Sequence, residues 1–238
     1  MAAPGTTMPA DPRTTIYASP AALAQALAAQ ISAELQQAIA ARGKALLVIS
    51  GGTTPRRLLE TLSQASLDWP AVTVTLADER WVPDSDPRSN AALAAQTLLR
   101  NAAVAARFLP MFRADLDITA AAREFSNALY TCCLPIDVLL LGMGNDGHTA
   151  SLFPQGDLLS RAMAPDCSDI ALPMHAPGAP EPRITLTLPT LASARHTHLH
   201  IEGQGKQQML RHALASRDLP IARVLAAAGA RADVHTCD

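Results

Sequence analysis

The feature that most constrains this chain is a set of short apolar runs, each ending in a loop of glycine or charge and each separated from the next by helix-like segments. Ala45 to Ile49, Val72 to Leu76 and Ile136 to Leu141 are apolar enough to read as strands buried on both faces. Between them the helical signals are explicit. Ser19-Pro20 supplies a hydroxyl N-cap and a proline in the first turn, and Leu23, Leu27, Ile31, Leu35 and Ile39 then recur until Gly43. Pro55 opens a second helix carrying Leu58, Leu59 and Leu62. Further helices are predicted from about Ser89 to Leu99 and from Thr119 to Tyr130, with a short strand at Phe108-Leu109. This alternation predicts an α/β fold with a mostly parallel sheet and helices on both faces. The later part changes character. Arg183 to Leu188 and His196 to Ile201 alternate strictly, which predicts a smaller set of strands with one drier and one wetter face. On that reading His196, His198 and His200 form a solvent-facing stripe. Lys206 to Ala215 reads as a helix, Leu219-Pro220-Ile221 as the start of a last helix or turn, and Pro173 to Pro182 as a loop within the domain.

The chain has 238 residues, 49% of them hydrophobic, and a formal net charge of −2. That suits one domain, placed at residues 16–238, and gives no electrostatic case for a nucleic-acid partner. No segment approaches the ~18 consecutive apolar residues of a membrane span, so no membrane partner is expected. The opening MAAPGTTMPADP holds three prolines and no apolar core, which predicts a flexible arm over residues 1–15 rather than a secretory leader. Cys132, Cys133, Cys167 and Cys237 lack C-x-x-C spacing, so neither a structural zinc site nor a disulfide framework is expected. The expectation is a soluble cytoplasmic protein, a monomer or a small homo-oligomer.

Three loops follow strands and therefore lie at the carboxyl edge of the sheet, where open α/β folds bind ligands. In Ser50-Gly51-Gly52-Thr53-Thr54-Pro55 the glycines permit close backbone approach, and free N–H groups beside a helix start make an anion site; an ordinary strand-to-helix turn is the plainer alternative. No Gly-Lys-Ser/Thr is present, so a phosphate smaller than a nucleotide is expected. Ala77-Asp78-Glu79-Arg80-Trp81-Val82-Pro83 offers a base and an anion clamp, or else a solvated charged loop. The third loop lies in LLLGMGNDGHTASLFP, Leu139 to Pro154, where Gly142, Gly144 and Gly147 match the dinucleotide fingerprint G-x-G-x-x-G. That fingerprint needs a helix after the glycines and a strand ending in an acidic residue ~20 positions on. Pro154 and Gly156 interrupt the helix, and AMAPDCSD, Ala162 to Asp169, does not read as a strand. What the loop does present is Asp146 and His148. A carboxylate beside an imidazole fixes its tautomer and raises its basicity, as general-base work requires, although a structural histidine would look the same.

The three histidines of the alternating strand are not expected to share a metal, since successive positions on one strand face lie ~7 Å apart. Lys206 follows Gly203-x-Gly205 and opens a helix, where an anionic ligand would offset the unfavourable dipole. It is a candidate second arm of a phosphate site, and Arg183 is a candidate for the same task.

Taken in order, SGGTTP, ADERWVP, LLGMGNDGHTASLFP, RITLTLP and the G-x-G-K helix start resemble the 6-phosphogluconolactonase family, from about Ser19 to Leu219-Pro220-Ile221. The related glucosamine-6-phosphate isomerase/deaminases share the glycine turn, the Asp-Glu pair and an Asp-Gly-His loop. They carry Tyr after Asp-Glu and an Ala-Phe-Asn-Glu-like run after the histidine, where this chain has Arg80-Trp81 and Thr149 to Pro154. Thr53 stands where Ser is frequent and keeps the hydroxyl. The resemblance implies a Rossmann-like fold and hydrolysis of 6-phospho-D-glucono-1,5-lactone to 6-phosphogluconate, with neither dinucleotide nor metal as cofactor. It leads us to expect His148 as general base, Asp146 as its orienting group and Arg80 on the developing oxyanion. Asp78 would hold Arg80 or bind sugar hydroxyls, while Ser50, Gly51, Gly52, Thr53, Lys206 and Arg183 would bind the 6-phosphate. The alternatives are an amino-sugar phosphate isomerase/deaminase and a non-catalytic phosphosugar-binding module.

Overall fold

The computed structural model describes residues 11–238. In chain order the strands are β1 (Arg13–Ile16), β2 (Ala45–Ile49), β3 (Val72–Leu76), β4 (Asp78–Arg80), β5 (Arg107–Phe108), β6 (Val138–Leu141), β7 (Ala171–Met174), β8 (Arg183–Leu186), β9 (His196–Glu202) and β10 (Ala232–Cys237). The helices are α1 (Pro20–Arg42), α2 (Arg56–Leu62), α3 (Asn90–Thr97), α4 (Ile118–Cys132), α5 (Leu159–Ala162), α6 (Leu188–Ala192), α7 (Gln204–Ser216) and α8 (Pro220–Ala228).

Helix α1 starts and stops where its caps require. Ser19 Oγ accepts the Ala22 N–H at 3.2 Å, and Gly43, at φ +71°, closes the helix by donating its N–H to Ile39 O. Leu23, Leu27, Ile31 and Leu35 are fully buried on its inner face. Burial of such side chains contributes ~1.5–3 kcal/mol each before the cost of ordering them. All five residues of β2 are buried although successive side chains point to opposite faces, so the sheet is covered on both sides.

Seven strands form one parallel sheet in the order β1-β10-β9-β6-β2-β3-β5. From β2 the chain builds outward through β3 and β5, then returns to β6 on the other flank of β2 and builds outward again. The reversal lies between β2 and β6, and loops leaving their carboxyl ends turn apart, which opens a crevice there.

Several expectations need correction. Asp78 to Arg80 is a strand and not a loop: Ala77 donates to Ile49 O at 2.8 Å in the large sheet and accepts from Leu186 N–H at 2.9 Å, and the chain then crosses into a small antiparallel sheet, β4-β8-β7. β8 has no wetter face. Thr185 and Thr187 are buried because their hydroxyls bond to backbone, Thr185 Oγ1 accepting from Ser151 N–H and Thr187 Oγ1 donating to Asp169 O. β9 belongs to the large parallel sheet, between β10 and β6, so its alternation does not mark a solvent-facing stripe: His198 and His200 are 1% and 3% exposed. The last part of the expected arm is ordered. Arg13 to Ile16 pair in parallel with β10, and the Arg13 guanidinium meets both oxygens of Asp233, while residues 1–10 lie outside the described residues. β10 itself gave no clear signal in the sequence.

One acid inside the apolar run before β6 ties the amino ends of the sheet together. The buried Asp137 carboxylate accepts the Leu46 N–H at 2.9 Å, pairs with Arg42 at the end of α1 and lies 3.6 Å from Arg195. Asp137→Ala leaves a backbone donor and a half-buried guanidinium without their acceptor, and should destabilise the fold by about 2–4 kcal/mol. Urea unfolding measures this; a change below about 0.5 kcal/mol would show that water replaces the carboxylate at no cost.

Candidate active site

At the carboxyl edge, around the reversal between β2 and β6, lies a cleft of about 350 Å³ lined by residues of all three loops together with Arg183 and Lys206. The loop after β6 folds back on itself: Gly144 N–H donates to His148 O at 2.8 Å and Gly147 N–H to Gly144 O at 3.2 Å. No helix follows the glycines, the next one opening only at Leu159. The glycines have other reasons to be there. A Cβ on Gly144 would strike the His148 ring, and Gly147 sits at φ +79° with Leu219 packed against it. The turn presents His148 with Nδ1 2.6 Å from Asp146 Oδ1, and Asp146 also accepts the His148 N–H at 3.2 Å. Partial burial pushes the Asp146 carboxyl up, but the attraction of His148 and its hydrogen bonds prevail and hold it below the usual range. Because Nδ1 is engaged by the carboxylate, Nε2 is the nitrogen left for chemistry. The ring is 30% exposed and packs on Phe153 at 4.6 Å between centroids.

Strand β4 separates its two carboxylates by the alternation of a strand. Glu79 points into the start of α3 and accepts from Arg80 N–H at 2.7 Å, Asn90 N–H at 2.7 Å, Ala91 N–H at 2.8 Å and Ser89 Oγ at 3.0 Å. Burial still pushes its carboxyl up, against those four donors. Glu79 is thus a structural clamp. Asp78 faces the cleft and accepts from Ser151 Oγ at 2.6 Å. Among the described residues no ion pair joins Asp78 to Arg80, whose guanidinium instead donates to Arg88 O. Arg183 stands opposite Arg80 in the antiparallel register and lies 5.8 Å from the centre of the Phe153 ring. Burial lowers its guanidinium from the ordinary value, the Asp78 carboxylate opposing and the Arg80 charge adding to the shift.

The loop after β2 lines the same cleft. Among the described residues Gly51, Gly52, Thr53 and Thr54 give their N–H groups to no partner, and Ser50 Oγ is buried without one. A Cβ on Gly51 would collide with the Asn90 amide, which donates to Asp78 O at 2.8 Å, so Gly51 lets the first two loops approach. The Lys206 ammonium donates to Met143 O; burial lowers it from its usual value and Asp146 opposes. All the residues expected to form the site except Asp146 therefore line this one cleft, and Asp146 touches it through His148.

Sequence reasoning missed Asn90, Ser151, Phe153 and His200 as site residues. Ser151 and Phe153 stood in the quoted motif, and Asn90 followed the Ser89 cap, but only the fold brings Asn90 and Phe153 to the cleft and sets Ser151 behind Asp78. His198, His235 and Asp233 bring potential ligand atoms within 4.8 Å of one another. Their polar atoms are already engaged: His198 bonds to His235 at 3.1 Å and to Glu34 at 2.8 Å, His235 to the Tyr17 hydroxyl at 3.0 Å, and Asp233 to Arg13. None of the three lines the cleft.

The sequence profile of a family described as glucosamine-6-phosphate isomerases/6-phosphogluconolactonase matches residues 18–234. A 6-phosphogluconolactonase of Rhizobium meliloti (strain 1021) is 45% identical over 223 residues, covering 92% of this chain and 96% of its own length. One from Mesorhizobium japonicum is 48% identical over 207 residues, 87% of each chain. The crystal structure of a 6-phosphogluconolactonase from Shewanella baltica OS155 superposes with a TM-score of 0.91 at 38% identity, covering 98% of this chain and 100% of that one.

Glu79→Ala removes the acceptor shared by four donors and should cost on the order of 3 kcal/mol in urea unfolding. If stability is unchanged, the carboxylate is not the clamp that joins β4 to α3.

Proposed function

The chain belongs to the glucosamine-6-phosphate isomerase/6-phosphogluconolactonase family, and on that premise we propose how its residues carry out the reaction: hydrolysis of 6-phospho-D-glucono-1,5-lactone to 6-phosphogluconate, in the oxidative pentose phosphate route. The observation that carries the assignment of roles is the His148–Asp146 pair, set in the same cleft as the unpaired N–H groups of the glycine loop and the Lys206 ammonium. Asp146 keeps the proton on Nδ1, so Nε2 offers a lone pair to a water molecule. As that water attacks C1, its proton passes to Nε2 and negative charge gathers on the carbonyl oxygen. Arg80 stabilises this charge in a cleft where its own position is fixed by Arg88 O. The tetrahedral species then collapses: the bond from C1 to the ring oxygen breaks, and the proton on His148 passes to that oxygen. Water has been added across the ester bond and the imidazole is regenerated.

Asp78, held by Ser151, takes the role of binding sugar hydroxyls, since among the described residues no ion pair ties it to Arg80. Ser50, Gly51, Gly52, Thr53 and Lys206 hold the 6-phosphate, and Arg183 contributes a second guanidinium to the anion site. The isomerase/deaminase reading gains no support from the site, because Arg80 and Trp81 stand where those enzymes carry Tyr.

His148→Ala should lower kcat by ~10²–10⁴ after subtraction of spontaneous lactone opening; unchanged turnover would remove His148 from the chemistry. Arg80→Ala should cost about 3–4 kcal/mol, felt chiefly in kcat. Lys206→Ala should raise KM for the phosphorylated lactone and leave an unphosphorylated lactone nearly untouched, equal losses on both placing Lys206 away from the phosphate. Incubation with glucosamine 6-phosphate should release no ammonia.

A further inference from the structure

Four buried side-chain atoms among the described residues have no hydrogen-bond partner: Ser50 Oγ, Thr197 Oγ1, His200 Nδ1 and Thr236 Oγ1. Two of them, on Ser50 and His200, belong to residues that line the cleft. Leaving a buried polar atom unpaired costs ~1–3 kcal/mol, so two such atoms at one binding site point to a ligand that satisfies both.

His200 is 3% exposed, and its ring is locked by Nε2, 2.9 Å from Glu202 Oε1. Glu202 in turn lines an adjoining groove with Thr53, Thr54 and Arg56, which places His200 at the glycine-loop end of the cleft. A carboxylate only accepts, so the proton of the neutral ring sits on Nε2, and Nδ1, buried without a partner on a residue that lines the cleft, keeps a bare lone pair. A phosphate dianion meeting that lone pair would be repelled unless a proton came between them.

Resting on the lactonase reading above, we propose that His200 is a ligand of the substrate's 6-phosphate, and that binding takes up one proton from solvent to bridge a phosphate oxygen and His200 Nδ1. Ser50 Oγ donates to the same phosphate. Glu202 is the positioning residue, fixing the ring and balancing the added charge. The other charged or titratable groups around His200 among the described residues include His198, two positions earlier on the same face of β9 and bonded to Glu34 of α1, His235, its register partner on β10, Lys206 on α7, and Arg56 and Arg57 on α2, which line a groove with Glu202; the β6 register ends at Leu141 opposite Leu199. Burial, with the His198 charge adding, pushes His235 down to about 4, so it does not compete for the proton near neutral pH. Burial likewise lowers His200 in the empty cleft, Glu202 opposing. A phosphate monoester loses its second proton near pH ~6, so above that pH neither partner brings the bridging proton with it.

The test is titration calorimetry with glucitol 6-phosphate, which lacks the C1 carboxylate, at pH 8 in two buffers of different ionisation enthalpy. The native protein should take up about one proton per ligand, with Kd rising about tenfold per pH unit between pH 7.5 and 9. His200→Phe should weaken binding about 10- to 100-fold and abolish the uptake. His200→Asn, whose amide can donate from the place of Nδ1, should recover most of the affinity without taking up a proton. No proton uptake by the native protein, or the same uptake and Kd in His200→Phe, overturns the proposal; a native protein without the pH slope overturns it even if neither variant folds. Lactonase turnover separates the two levels: a native protein without turnover refutes the functional reading, whereas turnover with an unchanged KM in His200→Phe refutes only the role of His200.

Discussion

The cleft depends on one hydrogen bond beyond the end of the regular ladder. Ser50 N–H donates to Leu140 O at 2.9 Å, carrying the β2–β6 pairing one residue further just before both strands break into loops. The glycine turn and the His148 turn therefore leave the sheet at the same height, on neighbouring strands, at the place where strand order reverses. On the other flank the Ala77 N–H repeats the device on Ile49 O. Backbone pairing thus registers three loops distant in sequence, and the Asp78–Ser151 and Asn90–Asp78 hydrogen bonds tie them together across the cleft.

The cleft carries its charge before any ligand arrives. Arg183 and Lys206 are both drawn away from their ordinary protonation behaviour by burial, with Asp78 and Asp146 respectively holding them back. Part of their hydration has been surrendered during folding, which strengthens their attraction for an anion in the cleft. In a chain of net charge −2, Arg80, Arg183 and Lys206 thus stand together on one cleft.

How much of this could be read from sequence follows from how local each signal is. The bounds of α1, β2 and β3 were legible because caps and apolar runs act within a few residues. The candidate site was legible as a set of loops, since strand–loop–helix order places them on one edge. The division of labour between Asp78 and Glu79 was not, because it depends on β4 pairing with β8, which lies about a hundred residues later. The alternation in β8 and β9 misled for a related reason. Thr185 and His198 look polar in a sequence, yet hydrogen bonds with Ser151 and Glu34 make them core residues. His200 escaped attention through the same expectation of a wet stripe.

The pairing of β1 with β10 has a consequence for the order in which the protein can be completed. The Arg13–Asp233 contact joins residues 220 apart, so the first described strand to leave the ribosome waits for the last before it has a partner. Until then β1 has no partner, the outer edge of β9 is open, and Tyr17 cannot reach His235. The edge strand is thus held by a contact of very high sequence separation, and closing it costs the chain a long loop.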